Sequence, residues 1–355
     1  MKCPIYSFAL AAWLAGSILH GQKSGSSAEL PGESLSLQKS AQTAEIAAWK
    51  VSAQAGEPRA QNELAMAYAF GRGVEQNYAE AAKWLEPAAA AGFAPAEFNL
   101  AALYENGFGV PQNYGKALAL NRASALQGYA LAQTRLGYFY EKGWAVREDM
   151  HEAAKWYRTA AVQGDAAAQC KLGNLYHSGR GVPHDDAESA RWYQKAAELG
   201  NAVAQNNLGA FYHHGIGVKP DFETALLWYR KASEQGLAEA DNNVGVMYED
   251  GLGTARDYNQ AAASYDRAAR HGIARAQYNL ATMYYSGRGV PLDYVTAFLW
   301  YSRAAASGDD RAPRVLKQLS TVMTPRQKQL AQARLAQGQS ASAGDVPASP
   351  SIARD

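Results

Sequence analysis

The sequence predicts an all-α chain of stacked helical hairpins, and three observations predict it. Glycines recur at a constant spacing of 36: Gly56, Gly92, Gly128, Gly164, Gly200, Gly236, Gly272 and Gly308 bracket residues 57–308 without a slip, and a fixed period of this length marks a stacked-repeat protein. Within each copy, two stretches carry helical rather than strand periodicity. Between those stretches, glycine and Asx residues stand where a helix must stop and the next must start.

The elements follow in chain order. After a lone Lys2, an apolar run from Ile5 to Leu19 is broken only by Ser7 and Ser17. That is short for a membrane span and suits a secretory signal. Residues 1–21 are expected to be a cleaved signal peptide. The mature chain would then be periplasmic or secreted and without an integral span; an uncleaved N-terminal anchor is the alternative. Residues 22–40, rich in Ser and Gly, are expected to be a flexible linker. Residues 41–56 read as a lone second helix, capping the apolar face of the first full repeat.

The seven repeats fill residues 57–308. Their first helix sets Ala204, Leu208 and Tyr212 on one face through a spacing of four, as do Ala132, Leu136, Tyr140 and Ala276, Leu280, Tyr284. Beside the leucine stands a very small residue: Ala65, Ala101, Gly137, Gly173, Gly209, Gly245, Ala281. Glycine there costs helix propensity, so close packing must offset it. Gly71 and its six equivalents follow the first helix and accept a left-handed helix end. A second glycine comes two residues later, except at Ala145. Asn77, Asn113, Asp149, Asp185, Asp221, Asp257 and Asp293 then cap the second helix. Glu80, Glu152, Glu188 and Gln260, three residues on, complete the pattern of a capping box. The second helix carries Ala225, Trp228, Tyr229 and Ala232, an amphipathic stripe. Residues 309–336 are expected to be C-terminal capping helices, with Ala312 and Leu316 still in register. Thr324-Pro325 opens a helix to about Leu335. Residues 337–355, rich in Ala, Ser, Gly and Pro, are expected to be a disordered tail.

The pattern A-x-A-Q-x-x-L-G-x-x-Y-x-x-G-x-G-V, then D-x-x-x-A-x-x-W-Y-x-x-A-A-x-x-G, is nearly whole over residues 166–200 and 202–236. It resembles the Sel-1-like repeat, a relative of the tetratricopeptide repeat. Leu120 and Ser264 depart from its tryptophan, and Ser189 from one alanine. The resemblance implies a right-handed superhelical α/α solenoid whose first helices line a concave face. It also implies a non-catalytic scaffold or adaptor that binds a peptide or partner protein there, as a monomer without cofactor or metal. Some relatives carry a cysteine pair in each unit; here Cys3 and Cys170 are the only cysteines, so no such cross-links exist.

The columns interleaved with the Ala–Leu–Tyr face would then form the binding surface, and they vary between copies. The candidate protein-binding residues are Phe98, Asn99, Arg135, Tyr138, Lys171, Asn174, His177, Asn207, His213, Asn243, Tyr278 and Asn279, with the aromatics as anchors. An amide in the Asn99, Asn207, Asn243, Asn279 column could bond a peptide backbone or a neighbouring unit; both readings stand at this point. Arg135 and Lys171 occupy that column in two middle units and point to an acidic or carboxylate-ended ligand. His177, His213 and His214 fall at equivalent helix ends, where a zinc site is conceivable, but surface histidines are the better account. Cys170 reads as a small half-buried residue.

The net charge of +1 excludes the basic footprint of a nucleic-acid binder. Enzyme signatures fail. Ser36-Leu37-Gln38-Lys39 has the S-x-x-K form but no K-T-G follows, and His151-Glu152-Ala153-Ala154-Lys155 lacks the second histidine of a zinc-protease motif. The rival readings are a cell-wall hydrolase of β-lactamase or penicillin-binding type, which some relatives suggest, and a secreted factor that engages host proteins.

Overall fold

A computed structural model describes residues 31–337, with side chains from residue 43 onward. The expected signal peptide, residues 22–30 of the expected linker and the tail beyond residue 337 lie outside the described residues. Among the described residues there are seventeen α-helices and no strand.

The chain divides into two compact units, 1–196 and 197–355. The first holds α1 (Pro31–Gln54) and the hairpins α2 (Pro58–Phe70)/α3 (Tyr78–Ala90), α4 (Ala94–Asn106)/α5 (Tyr114–Leu126), α6 (Ala130–Lys142)/α7 (Met150–Val162) and α8 (Ala166–Ser178)/α9 (Asp186–Glu198), the last two residues of α9 falling past the boundary. The second holds α10 (Ala202–His214)/α11 (Phe222–Glu234), α12 (Ala238–Asp250)/α13 (Tyr258–Arg270), α14 (Ala274–Ser286)/α15 (Tyr294–Ala306), then α16 (Ala312–Val322) and α17 (Pro325–Ala336), both packed on α15.

The helix ahead of the repeats starts at Pro31, not at residue 41, and takes in part of the stretch expected to be a linker. Proline suits a first helical turn, and the serines that suggested a linker are tolerated in a helix at modest cost. Its C-terminal half buries Ile46 and Ala53 against Ala60, Leu64 and Ala67. At the far end, Thr324 accepts from Gln327 N–H and the Gln327 side chain accepts from Thr324 N–H, a complete capping box.

Each repeat closes its first helix on a left-handed glycine, φ between 65° and 72°. In all seven repeats a second turn residue with positive φ follows, and at Gly181 an added Cβ would lie 2.0 Å from the Met150 carbonyl oxygen of the preceding hairpin. Ala145, at φ 54°, is the one described non-glycine with positive φ.

The Asx caps form as expected: Asn77 Oδ1 accepts from Glu80 N–H at 3.0 Å, and Asp221 Oδ1 from Thr224 N–H at 3.0 Å. The reciprocal half of the capping box does not form at Glu80, Glu152, Glu188 or Gln260. The cap's own N–H is already taken, because Asn77 donates to Tyr68 O at 2.9 Å, and Asp149, Asp185 and Asp257 donate to Tyr140, Tyr176 and Tyr248 O. The acidic residues turn outward instead, and Glu80, Glu152 and Glu188 pair with Lys83, Lys155 and Arg191.

The small-residue column does what its propensity cost requires. A Cβ on Gly209 would sit 2.7 Å from the Tyr229 ring, and one on Gly245 2.5 Å from Tyr265. In the hairpins that carry it, the second-helix tyrosine therefore packs against the first helix, with Tyr157, Tyr229 and Tyr265 at most 2% exposed. Burying each such ring contributes about 2 kcal/mol by area.

A glutamine column joins five of the first helices to the second helix before them, with Glu97 and Asp241 in its place in the other two. Gln61 Nε2 donates to Ala53 O, Gln133 to Ala125 O, Gln205 to Ala197 O and Gln277 to Ala269 O, at 3.0–3.2 Å. These bonds add a side-chain donor to last-turn carbonyls that already accept the N–H of the glycine three residues on.

Candidate functional site

The candidate interaction face comprises the columns of the first helices that turn away from their own second helix. The structure divides those columns into residues that hold neighbouring hairpins together and residues left open.

Most of the asparagine column belongs to the first group. Asn99 Nδ2 donates to Asn62 Oδ1 at 2.8 Å, Asn243 to Asn206 Oδ1 at 2.8 Å and Asn279 to Asn242 Oδ1 at 3.1 Å. Each bond ties one hairpin to the one before it, so of the two readings open to these amides the stacking role is the one observed. Asn207 is 7% exposed.

Arg135 and Lys171, in the same column, make the equivalent link by charge. Arg135 Nε donates to Glu105 Oε2 at 2.7 Å, and Lys171 Nζ to Glu141 Oε2 at 3.0 Å. Glu105 is 5% and Lys171 8% exposed. Burial alone would raise the Glu141 carboxyl, but the Lys171 charge, hydrogen bonds from Tyr157 and Lys171, and Lys142 hold it below the ordinary range. Both basic side chains are thus matched inside the fold. The expectation that they await an acidic or carboxylate-ended ligand loses its basis.

The expected anchors Phe98 and Tyr138 are also inside. Phe98 is 8% exposed and meets Tyr129 edge-on at 5.5 Å. Tyr138 is 4% exposed, with Arg135, Lys142 and Lys171 within 4.9–5.5 Å of its ring and Trp144 edge-on. Tyr278 is half-buried, packed against Tyr301 with the Arg311 guanidinium 3.9 Å over its ring. Cys170 is fully buried, deeper than expected.

The open residues lie in the last two turns. Ala102, Asn174, Ala210, Val246 and Thr282 are the partly exposed members of a column that is buried at Met66 and Tyr138, and one turn on stand His177, His213, Glu249 and Tyr285. His177 Nδ1 lies 2.6 Å from Asp186 Oδ1, with the His184 ring 6.2 Å away. His213 stacks on His214 at 4.4 Å, and burial, then the neighbouring imidazole, lowers its pKa. Among the described residues no group of three or more His, Cys, Asp or Glu is placed to hold a metal ion.

One set of polar groups on this face escaped sequence reasoning. The second-helix tyrosines pass their hydroxyls under the first helix to its open columns. Tyr157 donates to Glu141 at 2.6 Å, Tyr193 to Asn174 at 2.6 Å and Tyr265 to Glu249 at 2.7 Å, and Tyr301 bonds Thr282 at 2.9 Å. Burial pushes the Tyr301 phenol up to about 12 and raises Tyr157 and Tyr265 too, so all three remain neutral. The signal was a polar residue 16 or 19 places before each tyrosine, visible only once hairpin packing is known.

The Sel1 repeat model matches seven consecutive segments: 58–93, 94–129, 130–165, 166–201, 202–237, 238–273 and 274–309. Among solved structures, c5321, a protective antigen of uropathogenic Escherichia coli strains displaying an SLR fold, is 32% identical with a TM-score of 0.73. The alignment covers 83% of this chain and 64% of that one, so this chain accounts for less than two thirds of that protein's length. A Sel1 repeat protein from Oxalobacter formigenes is 34% identical, with a TM-score of 0.62 and coverage of 77% and 79%. No curated protein matches the chain.

Proposed function

Because the chain belongs to the Sel1-repeat family, we propose that it is a non-catalytic scaffold that grips a peptide or partner protein on the face formed by its first helices. One observation carries this reading. The core columns repeat from copy to copy, whereas the partly exposed positions Ala102, Asn174, Ala210, Val246 and Thr282 differ from one another. The fold tolerates each of these, so it does not dictate them, and a surface freed from folding constraints can follow a partner. The hairpins supply rigidity, which lowers the entropy lost on binding.

The proposal includes export, on the strength of the apolar run from Ile5 to Leu19; fractionating cells and medium tests that part. The binding reading is tested by photocrosslinking in cells. A photoreactive residue at Tyr285, exposed on the first-helix face, is expected to trap one defined partner, and the same residue at Lys155, on a second helix, is expected to trap none. Equal capture from both positions would refute the assignment of the face.

A further inference from the structure

The last two helices carry a charge pattern that the repeats do not. Residues 309–336, which hold α16 and α17, contain six basic residues and two acidic ones, a net +4, whereas the whole chain carries +1. No acidic residue lies between Asp310 and residue 337. Asp309 is already paired with Arg311 at 2.6 Å, and that guanidinium lies over the Tyr278 ring. The hairpin below does not redress the balance, because α14 and α15 contribute Arg275 and Arg303 and no carboxylate.

Elsewhere the fold balances its exposed cations about one turn away. Lys83, Lys155, Arg191 and Arg270 each pair with an acid on their own helix: Glu80, Glu152, Glu188 and Asp266. In the cap, Arg314, Lys317, Arg326 and Lys328 are all exposed, and none forms a salt bridge among the described residues. Arg314 and Lys317 stand one turn apart on the side of α16 opposite the fully buried Ala312 and Leu319.

A capping element needs a polar outer face to keep a stack soluble. That need does not select a sign, and carboxylates serve solubility better than cations do. Like charges gathered in one place repel one another and oppose the compact state. A single-signed cap is thus more than solubility requires, and an anionic surface is its complement.

The neighbouring side chains say which anionic surface. Val322, Leu330 and Leu335 are 50%, 44% and 40% exposed along the same two helices, and residues 309–336 contain no Trp, Tyr or Phe. Protein interfaces draw on aromatic anchors and are depleted of Lys, and single-stranded nucleic acid is held on aromatic stacking platforms. Cations interspersed with aliphatic side chains suit the headgroup layer of a bilayer. No described helix is long and apolar enough to cross a membrane, so such contact stays at the surface.

We propose that α16 and α17 form a platform that docks the chain on an anionic phospholipid surface, with Arg314, Lys317, Arg326 and Lys328 meeting the lipid phosphates. This goes beyond the scaffold reading and does not rest on it.

The test is co-sedimentation of the full chain with vesicles of equal parts phosphatidylcholine and phosphatidylglycerol, with pure phosphatidylcholine vesicles as the neutral counterpart. The parent is expected to pellet with the anionic vesicles only and to be released as salt is raised, because salt screens exposed charges. Lys317→Gln and Lys328→Gln are each expected to weaken binding about fivefold, the effect of one basic side chain near an anionic surface. Together they are expected to weaken it about twentyfold. Neither lysine pairs with an acid, so the Tm of each variant is expected to match the parent. Lys219→Gln, at an exposed lysine of the 202–237 hairpin, is expected to leave binding unchanged. The platform is refuted by a parent that does not pellet with the anionic vesicles, by equal pelleting with phosphatidylcholine, or by full affinity in the double variant. Tighter binding of soluble polyglutamate or duplex DNA than of the anionic vesicles, matched by charge, would assign the cap to another polyanion and overturn the lipid surface. Capture of a partner from Tyr285 is a separate readout, so either reading can fail without the other.

Discussion

The main-chain N–H of Asn77 donates to the carbonyl of Tyr68 at 2.9 Å, tying the start of α3 to the last turn of α2 across the turn between them. The same nine-residue bond recurs in all seven repeats, from Asn113 to Tyr104 through Asp293 to Tyr284. It consumes the donor that a capping box would use. The Asx side chain is therefore the essential half of each cap, and the acidic residue three places on is dispensable.

That division is measurable in the first repeat. Asn77→Ala is expected to cost about 1 kcal/mol of unfolding free energy, the ordinary worth of an N-cap. Glu80→Ala removes only an exposed pair with Lys83 and is expected to cost a few tenths, about 0.3 kcal/mol. Urea denaturation of both variants checks this; equal losses would show that a reciprocal box forms in solution.

Glu97 sits in the glutamine column, where Gln61 and Gln133 donate to carbonyls of the preceding helix. A carboxylate cannot donate. Burial raises the Glu97 carboxyl above its ordinary 4.5, against the opposing hydrogen bond from Gln127. A carboxyl raised on folding binds its proton more tightly in the native state, so its contribution is full at low pH and is lost as pH climbs from 4.5 through the folded value. Glu97→Gln is expected to stabilise the chain at pH 7 by about 1 kcal/mol, one recovered hydrogen bond. It is also expected to flatten this part of the stability–pH curve. A variant no more stable than the parent at pH 7 would contradict the account.

The column also predicts a gain. Gln163 and Gln235 donate to the Oε1 of Gln133 and Gln205 at 2.7 Å. Ser307 occupies the corresponding place for Gln277, whose Oε1 is buried and unpaired. Ser307→Gln is expected to add about 0.5–1 kcal/mol, read from the urea midpoint at unchanged slope.

Arg135 and Glu105 form a largely buried pair between consecutive hairpins, with side chains 16% and 5% exposed. Removing one partner strands the other charge. Arg135→Ala is therefore expected to cost about 3 kcal/mol. Removing both is expected to cost clearly less than the sum of the two single losses. Additive losses in the double-mutant cycle would mean that the pair does not link the hairpins.

The period, the helices and their caps were legible because each is a local matter: apolar spacing, a left-handed glycine, an Asx ahead of a helix. The register was legible for the same reason, and repeats 57–308 as read fall one residue from the matched segments 58–309. The linking residues were not. Asn99 reaches Asn62 across 37 positions, and nothing in either segment marks the bond. One clue lay unread: Arg135 and Lys171 replace asparagine in the two hairpins where Glu105 and Glu141 stand 30 residues earlier. Phe98 and Tyr138 lie in columns whose variation reads as exposure in the sequence, yet a large aromatic side chain in such a column can still fold down onto its neighbours and be buried.

The most direct test of the central claim is a blocking scan. Arginine is introduced singly at Ala102, Ala210 and Thr282 on the first-helix face and, as controls, at Leu227 and Leu126, which are 50% and 72% exposed on second helices. Affinity for the partner trapped from Tyr285 is then measured by calorimetry on variants whose far-UV spectra and Tm match the parent. The account predicts at least a tenfold loss, about 1.4 kcal/mol, from one or more first-helix substitutions and none from the controls. Full affinity in all three first-helix variants, or a loss confined to Leu227→Arg and Leu126→Arg, would contradict it.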